Sequence, residues 1–270
     1  MDLMSVELTE KQFRKVSRLI YRLCGINLKD GKQALVRSRL MKRLRALHLP
    51  SFDAYLKYVD GDSGLQELSF LIDVITTNKT SFFREPEHFN FLRDKILPGL
   101  NSRKQRFWTA ACSSGEEPFS LAILLREHTL DIDLKDVKIL ATDISTSMLE
   151  KARTAIYREE ELRDIPHNLL QKYFIRVQGP GQVYQVKDNL RTMVRLARLN
   201  LMDSWPMKGP FDVIFCRNVM IYFDKPTQET LINRFWSFLE PGGYLFVGHS
   251  EGLSAISHKF HYVRPAVYRK

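Results

Sequence analysis

The chain has 270 residues, 44% hydrophobic and 27% charged, a balance that buries a real core in one large or two modest domains. No apolar run reaches transmembrane length. "MDLMSVELTEKQF" lacks the basic-then-apolar order of an export signal, and three scattered cysteines, Cys24, Cys112 and Cys216, give neither a disulfide framework nor a metal pair. A formal charge of +10 calls for an acidic partner, whether nucleic acid, membrane surface or protein. A reducing cytoplasm is the expected compartment, with no metal bound.

In chain order, the first part reads as helical. "LTEKQFRKVSRLIYRLCG" has Thr9 as N-cap and Gln12 three residues on, a capping box, and ends at Gly25. Phe13, Val16, Leu19, Ile20 and Leu23 repeat at helical spacing. "KDGKQALVRSRLMKRLRALHLP" is a second helix. "SFDAYLKYVDG" and "LQELSFLIDVITTN" are a third and a fourth, the last with an apolar stripe from Leu65 to Ile75. No strand signal precedes Phe107. From there "RFWTAAC", "VKILATDIS", "MVRLARLNL", "FDVIFCRNVMIYF" and "YLFVGHSEG" read as strands, and "FHYVRPAVYRK" as a last one with turn chemistry at Pro265. Helices "SSGEEPFSLAILLREH", "TSMLEKARTAIY" and "PTQETLINRFWSFL" alternate with them, and "EPGG" is a turn. That alternation predicts an α/β fold with a mainly parallel sheet. Gly179-Pro180-Gly181 between two alternating segments reads as a hairpin.

Ligands on such a sheet bind at the carboxyl ends of the strands. The first strand runs into "ACSSGEEP", small residues opening a helix whose first N–H groups are free. The dinucleotide glycine pattern and a P-loop lysine are both absent. Glu116 and Glu117 sit in the first turn, where a carboxylate suits the helix dipole but also attracts a cation. Asp143 ends the second strand, placed to accept hydrogen bonds from ribose hydroxyls or to cap the following helix. Acids on both loops and no phosphate cradle point to a cationic nucleoside, a description that S-adenosylmethionine meets.

"TTNKTSFFREPEHF", "TAACSSGEEPFSLA", "ILATDIS", "RLNL" and "FDVIFCRNVMIYFD", in this order, resemble the signature segments of the CheR-type chemotaxis receptor glutamate O-methyltransferases. The resemblance implies a Rossmann-like S-adenosylmethionine-dependent methyltransferase domain over 91–270. It also implies a small antiparallel β-subdomain inserted at about 157–196, an all-helical N-terminal domain over 1–75 and a linker over 76–90 that folds over the cofactor. It places Asn78, Thr80, Arg84, Glu116, Asp143, Asn200, Leu201, Arg217 and Asn218 around S-adenosylmethionine, with Glu117 sharing or merely capping. Arg84 would orient the acceptor carboxylate, beside Tyr222. Phe82 and Phe83 would anchor the linker as wedges or be ordinary interdomain core, and Tyr222 could equally be a core tyrosine.

The implied substrate is a glutamate on the methylation helices of a chemoreceptor, and the implied product is a glutamyl methyl ester. Asn/Asp-Pro-Pro-aromatic, common in enzymes that methylate exocyclic base nitrogens, is replaced here by Arg217-Asn218-Val219-Met220. The basic charge concentrates on the second helix. Val36, Leu40, Leu44 and Leu47 form one stripe; Lys32, Arg39, Lys42, Arg43 and Arg45 lie opposite, and Arg37 lies near the apolar side. Arg39, Lys42, Arg43 and Arg45 are the expected contacts to the acidic receptor helices, against the alternative of a solvated face. No aromatic residues interleave them for nucleic acid. In some family members the β-subdomain adds a strand from a receptor's C-terminal tail; the loop here is shorter than in those members. A monomer is expected. The alternatives are a methyltransferase for another acidic protein or nucleic acid, and a non-catalytic cofactor-binding signalling module.

Overall fold

The computed structural model describes residues 6–61, 64–100 and 102–270. The first five residues of the segment read as lacking an export signal, and the Leu65 side chain of the fourth helix's apolar stripe, lie outside the described residues. Four helices open the chain: α1 (Glu10–Cys24), α2 (Gln33–Ala46), α3 (Phe52–Asp60) and α4 (Gly64–Ile75). The Thr9–Gln12 capping box forms with both reciprocal bonds, and Gly25 ends α1 in the left-handed region at φ 73°. Phe13, Val16, Ile20, Val36, Leu40, Leu44 and Tyr55 pack these helices into one apolar core.

After the linker, α5 (Pro86–Phe91) leads to β1 (Lys104–Ala110). There follow α6 (Glu116–His128), β2 (Asp136–Asp143), α7 (Thr146–Thr154), β3 (Ile156–Arg158), α8 (His167–Tyr173), β4 (Phe174–Val177), β5 (Val183–Val186), α9 (Asp188–Arg191) and β6 (Val194–Arg198). The chain finishes with β7 (Phe211–Cys216), α10 (Lys225–Phe238), β8 (Leu239–Val247), β9 (His261–Arg264) and β10 (Val267–Arg269). The main sheet has the order β6-β2-β1-β7-β8-β10-β9. Neighbours from β6 to β8 run parallel, and β10 and β9 close the edge antiparallel. Phe107, Trp108, Thr109 and Ala110 of β1 are all buried, because helices cover both faces of a parallel sheet. One face carries Phe107, Phe119, Phe215 and Phe246, and the other Trp108, Trp205, Phe235 and Ile232. The order turns back between β1 and β7, so their carboxyl ends open a crevice.

Three strand readings are corrected. β1 begins at Lys104, before Phe107, because Gln105 is buried with its amide donating to Leu100 O and Ser102 O, and the Arg106 N–H donates to Asp212 Oδ2. β7 stops at Cys216: Asn218 takes φ 59°, and Met220–Tyr222 turns into a 3-10 helix. "EPGG" lies within β8 as an irregularity around Gly242 (φ 80°), and β8 ends at Val247 before "GHSEG". The expected hairpin forms as β4 and β5, which with β3 make a separate three-stranded antiparallel sheet. Among the described residues no helix is long and apolar enough to cross a membrane.

Candidate active site

A cavity of about 610 Å³ lies at the carboxyl ends of β1, β2 and β7, between the sheet and the helical domain. Its size suits a nucleoside-sized ligand.

The linker forms one wall, with Asn78, Thr80 and Arg84 all lining the cavity. Phe82 is fully buried, its ring edge-on to Tyr157 at 5.0 Å and to Phe174 at 5.7 Å. Phe83 packs against Phe89, and its N–H donates to Ser120 Oγ at 2.9 Å. Ser113 Oγ donates to Asn78 O, and Arg217 donates to Arg84 O. The adjacent aromatics are therefore plugs, and the polar residues on either side of them face the cavity. Phe83 and Glu85 both adopt positive φ, 51° and 57°, a cost carried by these contacts.

The β1 loop and β2 form the floor. Gly115 has φ 99°, and a Cβ there would lie 2.8 Å from the Tyr157 hydroxyl, so the turn into α6 requires glycine. Asp143 is buried, accepting from the Ser113 N–H at 2.7 Å and the Ser145 N–H at 2.8 Å. Burial pushes its carboxyl up, against those main-chain donors.

Glu116 does not line the cavity. It is buried behind the loop, where Ser114 Oγ donates to both its oxygens at 2.9 and 2.7 Å. Glu117 lines the cavity instead, 3.0 Å from Arg217 Nη1. Adjacent residues on a helix point about 100° apart, and here Glu117 faces the cavity while Glu116 turns to Ser114. The cofactor-side expectation for Glu116 passes to Glu117. Burial pushes both carboxyls up.

Arg217 and Asn218 close the far end. Arg217 is buried between Glu117 and Glu85, whose Oε2 is 2.9 Å away. Burial of Glu85 is outweighed by Arg217, which holds its carboxyl below the usual range. Tyr222 lines the cavity, and its carbonyl accepts the Asn27 N–H at 2.8 Å. Asn200 and Leu201 also line it. The Asn200 amide donates to Leu23 O at 2.7 Å, which caps the end of α1. Gly25 then sits so close to Met202 that a Cβ would meet its sulfur at 2.7 Å.

The helical domain thus contributes to the wall, through Leu28, Lys29, Lys32, Leu35 and Arg39. Lys32 and Arg39 lie on the basic arc that helical periodicity defines, whereas periodicity does not single out Leu28, Lys29 or Leu35. The other basic residues of α2 diverge. Arg43 forms a two-pronged pair with Glu67, at 2.8 and 2.7 Å, and Tyr55 also donates to that carboxylate. Arg39 donates to Ile75 O, Thr76 O and Thr77 Oγ1, holding the start of the linker. Lys42 and Arg45 remain exposed. The receptor-facing expectation is therefore corrected for Arg43, which is committed inside the helical domain.

Two family descriptions match this chain. "CheR methyltransferase, all-alpha domain" covers residues 11–76, and "CheR methyltransferase, SAM binding domain" covers residues 78–268. The chain belongs to the CheR methyltransferase family. Named chemotaxis protein methyltransferases are similar to it along nearly their whole length. That of Borreliella burgdorferi is 41% identical over 99% of this chain and 96% of its own. That of Klebsiella aerogenes is 44% identical over 97% and 90%, and that of Escherichia coli K12 44% over 94% and 88%. This CheR chain is an S-adenosylmethionine-dependent methyltransferase of chemotaxis. Its cavity fits that cofactor: a buried, main-chain-fixed carboxylate ends β2, a second carboxylate in the first turn of α6 faces the cavity, and a glycine-dependent turn leads into that helix.

Proposed function

We propose that this CheR methyltransferase methylates glutamate side chains on the cytoplasmic helices of chemoreceptors, forming glutamyl methyl esters and S-adenosylhomocysteine in the cytoplasm. One observation carries the reading: the cavity is polarised. Its acids, buried Asp143 and Glu117, the latter paired with buried Arg217, lie at the sheet end, while exposed Lys29, Lys32 and Lys79 and half-buried Arg39 and Arg84 lie toward solvent. A cationic donor suits the first end and an anionic acceptor the second.

When bound, S-adenosylmethionine supplies an electrophilic sulfonium methyl group. Asp143 would hold its ribose hydroxyls and Glu117 its amino group, with Asn78, Thr80, Asn200, Leu201, Arg217 and Asn218 around the rest. A glutamate is already ionised at neutral pH, so it is nucleophilic without a general base, and the protein's task is alignment. Arg84 donates to Lys79 O at 2.8 Å, and among the described residues no carboxylate forms an ion pair with it. It is free to orient the acceptor, with Tyr222 beside it. A looser contact serves better than a tight ion pair, which would stabilise the ground state equally. Lys42 and Arg45 offer the acidic receptor helix a screened, salt-sensitive landing surface.

The test is methyl transfer to a receptor cytoplasmic fragment with its candidate glutamates intact or replaced by glutamine. The reading requires transfer to the first and none to the second; equal labelling of both would overturn it.

A further inference from the structure

Glu251 lies just beyond β8, in "GHSEG", and does not line the cavity. It is buried, yet its partners are main-chain groups rather than a cation. Its Oε2 accepts from the N–H groups of Asn218 and Gly248, both at 2.7 Å, and its Oε1 accepts from the Ile221 N–H at 3.1 Å. A buried charge is costly unless its hydrogen bonds are made, and these bonds tie two separate segments together. Two of the three donors belong to the loop after β7, whose residues Arg217, Asn218, Val219, Ile221 and Tyr222 all line the cavity.

That loop is not held by the sheet. Asn218 stands at φ 59°, a left-handed conformation that Asn adopts more readily than most residues and that turns the chain out of the strand. Glu251 grips its main chain from below, and Glu85 Oε1 takes its side-chain amide at 3.2 Å from the linker side. Gly248 completes the fit: a Cβ there would lie 2.6 Å from Asn218 Nδ2 and 2.7 Å from Glu251 Oε2.

We infer that Glu251 is a positioning residue for methyl transfer, fixing the Arg217–Tyr222 wall in the shape that aligns acceptor and donor while touching neither. This rests on the cavity being the transfer site. Its effect falls first on the chemical step, because Asp143 and the Phe82 and Phe83 plugs of the linker are held by other contacts, while Arg217 and Asn218 carry a smaller effect to the cofactor side.

The experiment compares wild type, Glu251→Gln, Glu251→Asp, Gly248→Ala and Val267→Ala, the last a buried residue of β10 outside the cavity wall. Transfer kinetics with labelled donor and receptor fragment, S-adenosylhomocysteine affinity by calorimetry, and melting temperature are measured for each. Glu251→Gln and Gly248→Ala, which disturb the same clamp from opposite sides, are expected to lower kcat at least tenfold. Their S-adenosylhomocysteine Kd rises by a smaller factor than kcat falls, and Glu251→Asp, which keeps the charge, lies between them and wild type. Val267→Ala loses melting temperature but keeps kcat within twofold. A kcat within twofold for both clamp variants, or a kcat loss in Val267→Ala matching theirs, would overturn the inference. Base-stable label on wild type would refute the glutamate reading alone, since the kcat ratios decide the role of Glu251 whatever the acceptor atom.

Discussion

Phe82→Ala separates a linker that closes the cavity from one that is merely interdomain core. The Phe82 ring is fully buried against Tyr157 and Phe174 in the methyltransferase domain. Truncating such a ring costs about 3–5 kcal/mol. The linker's remaining ties include the Phe83–Ser120, Ser113–Asn78 and Arg217–Arg84 hydrogen bonds, each worth roughly 1 kcal/mol. Phe82 alone therefore weighs about as much as those three bonds together, and without it linker docking is marginal. If half of about 4 kcal/mol must be supplied by ligand binding, S-adenosylhomocysteine affinity falls roughly 30-fold. Calorimetry measures this, and limited trypsin digestion at Lys79 and Arg84 should quicken and be slowed again by the ligand. Phe235→Ala removes an equally buried ring on the other face of the sheet; it should lower the melting temperature without changing affinity. An unchanged affinity in Phe82→Ala, with a melting loss like that of Phe235→Ala, would refute the reasoning.

Three further outcomes follow from the charges. Lys42→Glu and Arg45→Glu should raise the acceptor KM several-fold at low salt with little change in melting, and added salt should erase the difference. Arg43→Ala should instead unfold the helical domain more easily, by about 3 kcal/mol, because it leaves Glu67 buried without its cation; a scan of KM and melting temperature tells the two classes apart. His88 is buried among Glu85, Arg217, His249 and Arg264, and burial, then Arg217, lowers its pKa to about 3. Above its ordinary value near 6.5 both folded and unfolded states leave it neutral. Below that the unfolded chain takes a proton that the folded one refuses until about pH 3, so stability falls across this window, by on the order of 4 kcal/mol. Glu85, held low, adds to the acid loss, whereas Glu117, Asp143 and Glu251, pushed up by burial, oppose it. Urea titrations from pH 7 to pH 3 should show a shallower slope in His88→Phe than in wild type.

Local rules made much of this molecule legible. The α1 capping box and its glycine stop depend on residues within one turn, and they formed as read. The parallel sheet followed from alternation, and the linker's polar and aromatic mixture from its two faces. What escaped depended on partners far along the chain. The helical wheel placed Arg43 on a basic arc but could not show Glu67 on α4 beneath it. Glu116 and Glu117 are adjacent, and only the turn at Gly115 decides which one faces the cavity. The β7 reading ran too far because "VMIYF" is apolar, while the residue that ends the strand, Asn218, is held by Glu251 from 33 positions away. An acid following a strand-end glycine in "GHSEG" was the available signal, and apolar periodicity does not register it.

The central claim is ester formation on a receptor glutamate, and the most direct measurement is transfer of a labelled methyl group from S-adenosylmethionine to chemoreceptor-containing membranes, followed by mild alkali. The account predicts label on the receptor that leaves as methanol, and no label with Arg84→Ala. Label that survives alkali would place the methyl group on nitrogen or sulfur and contradict it.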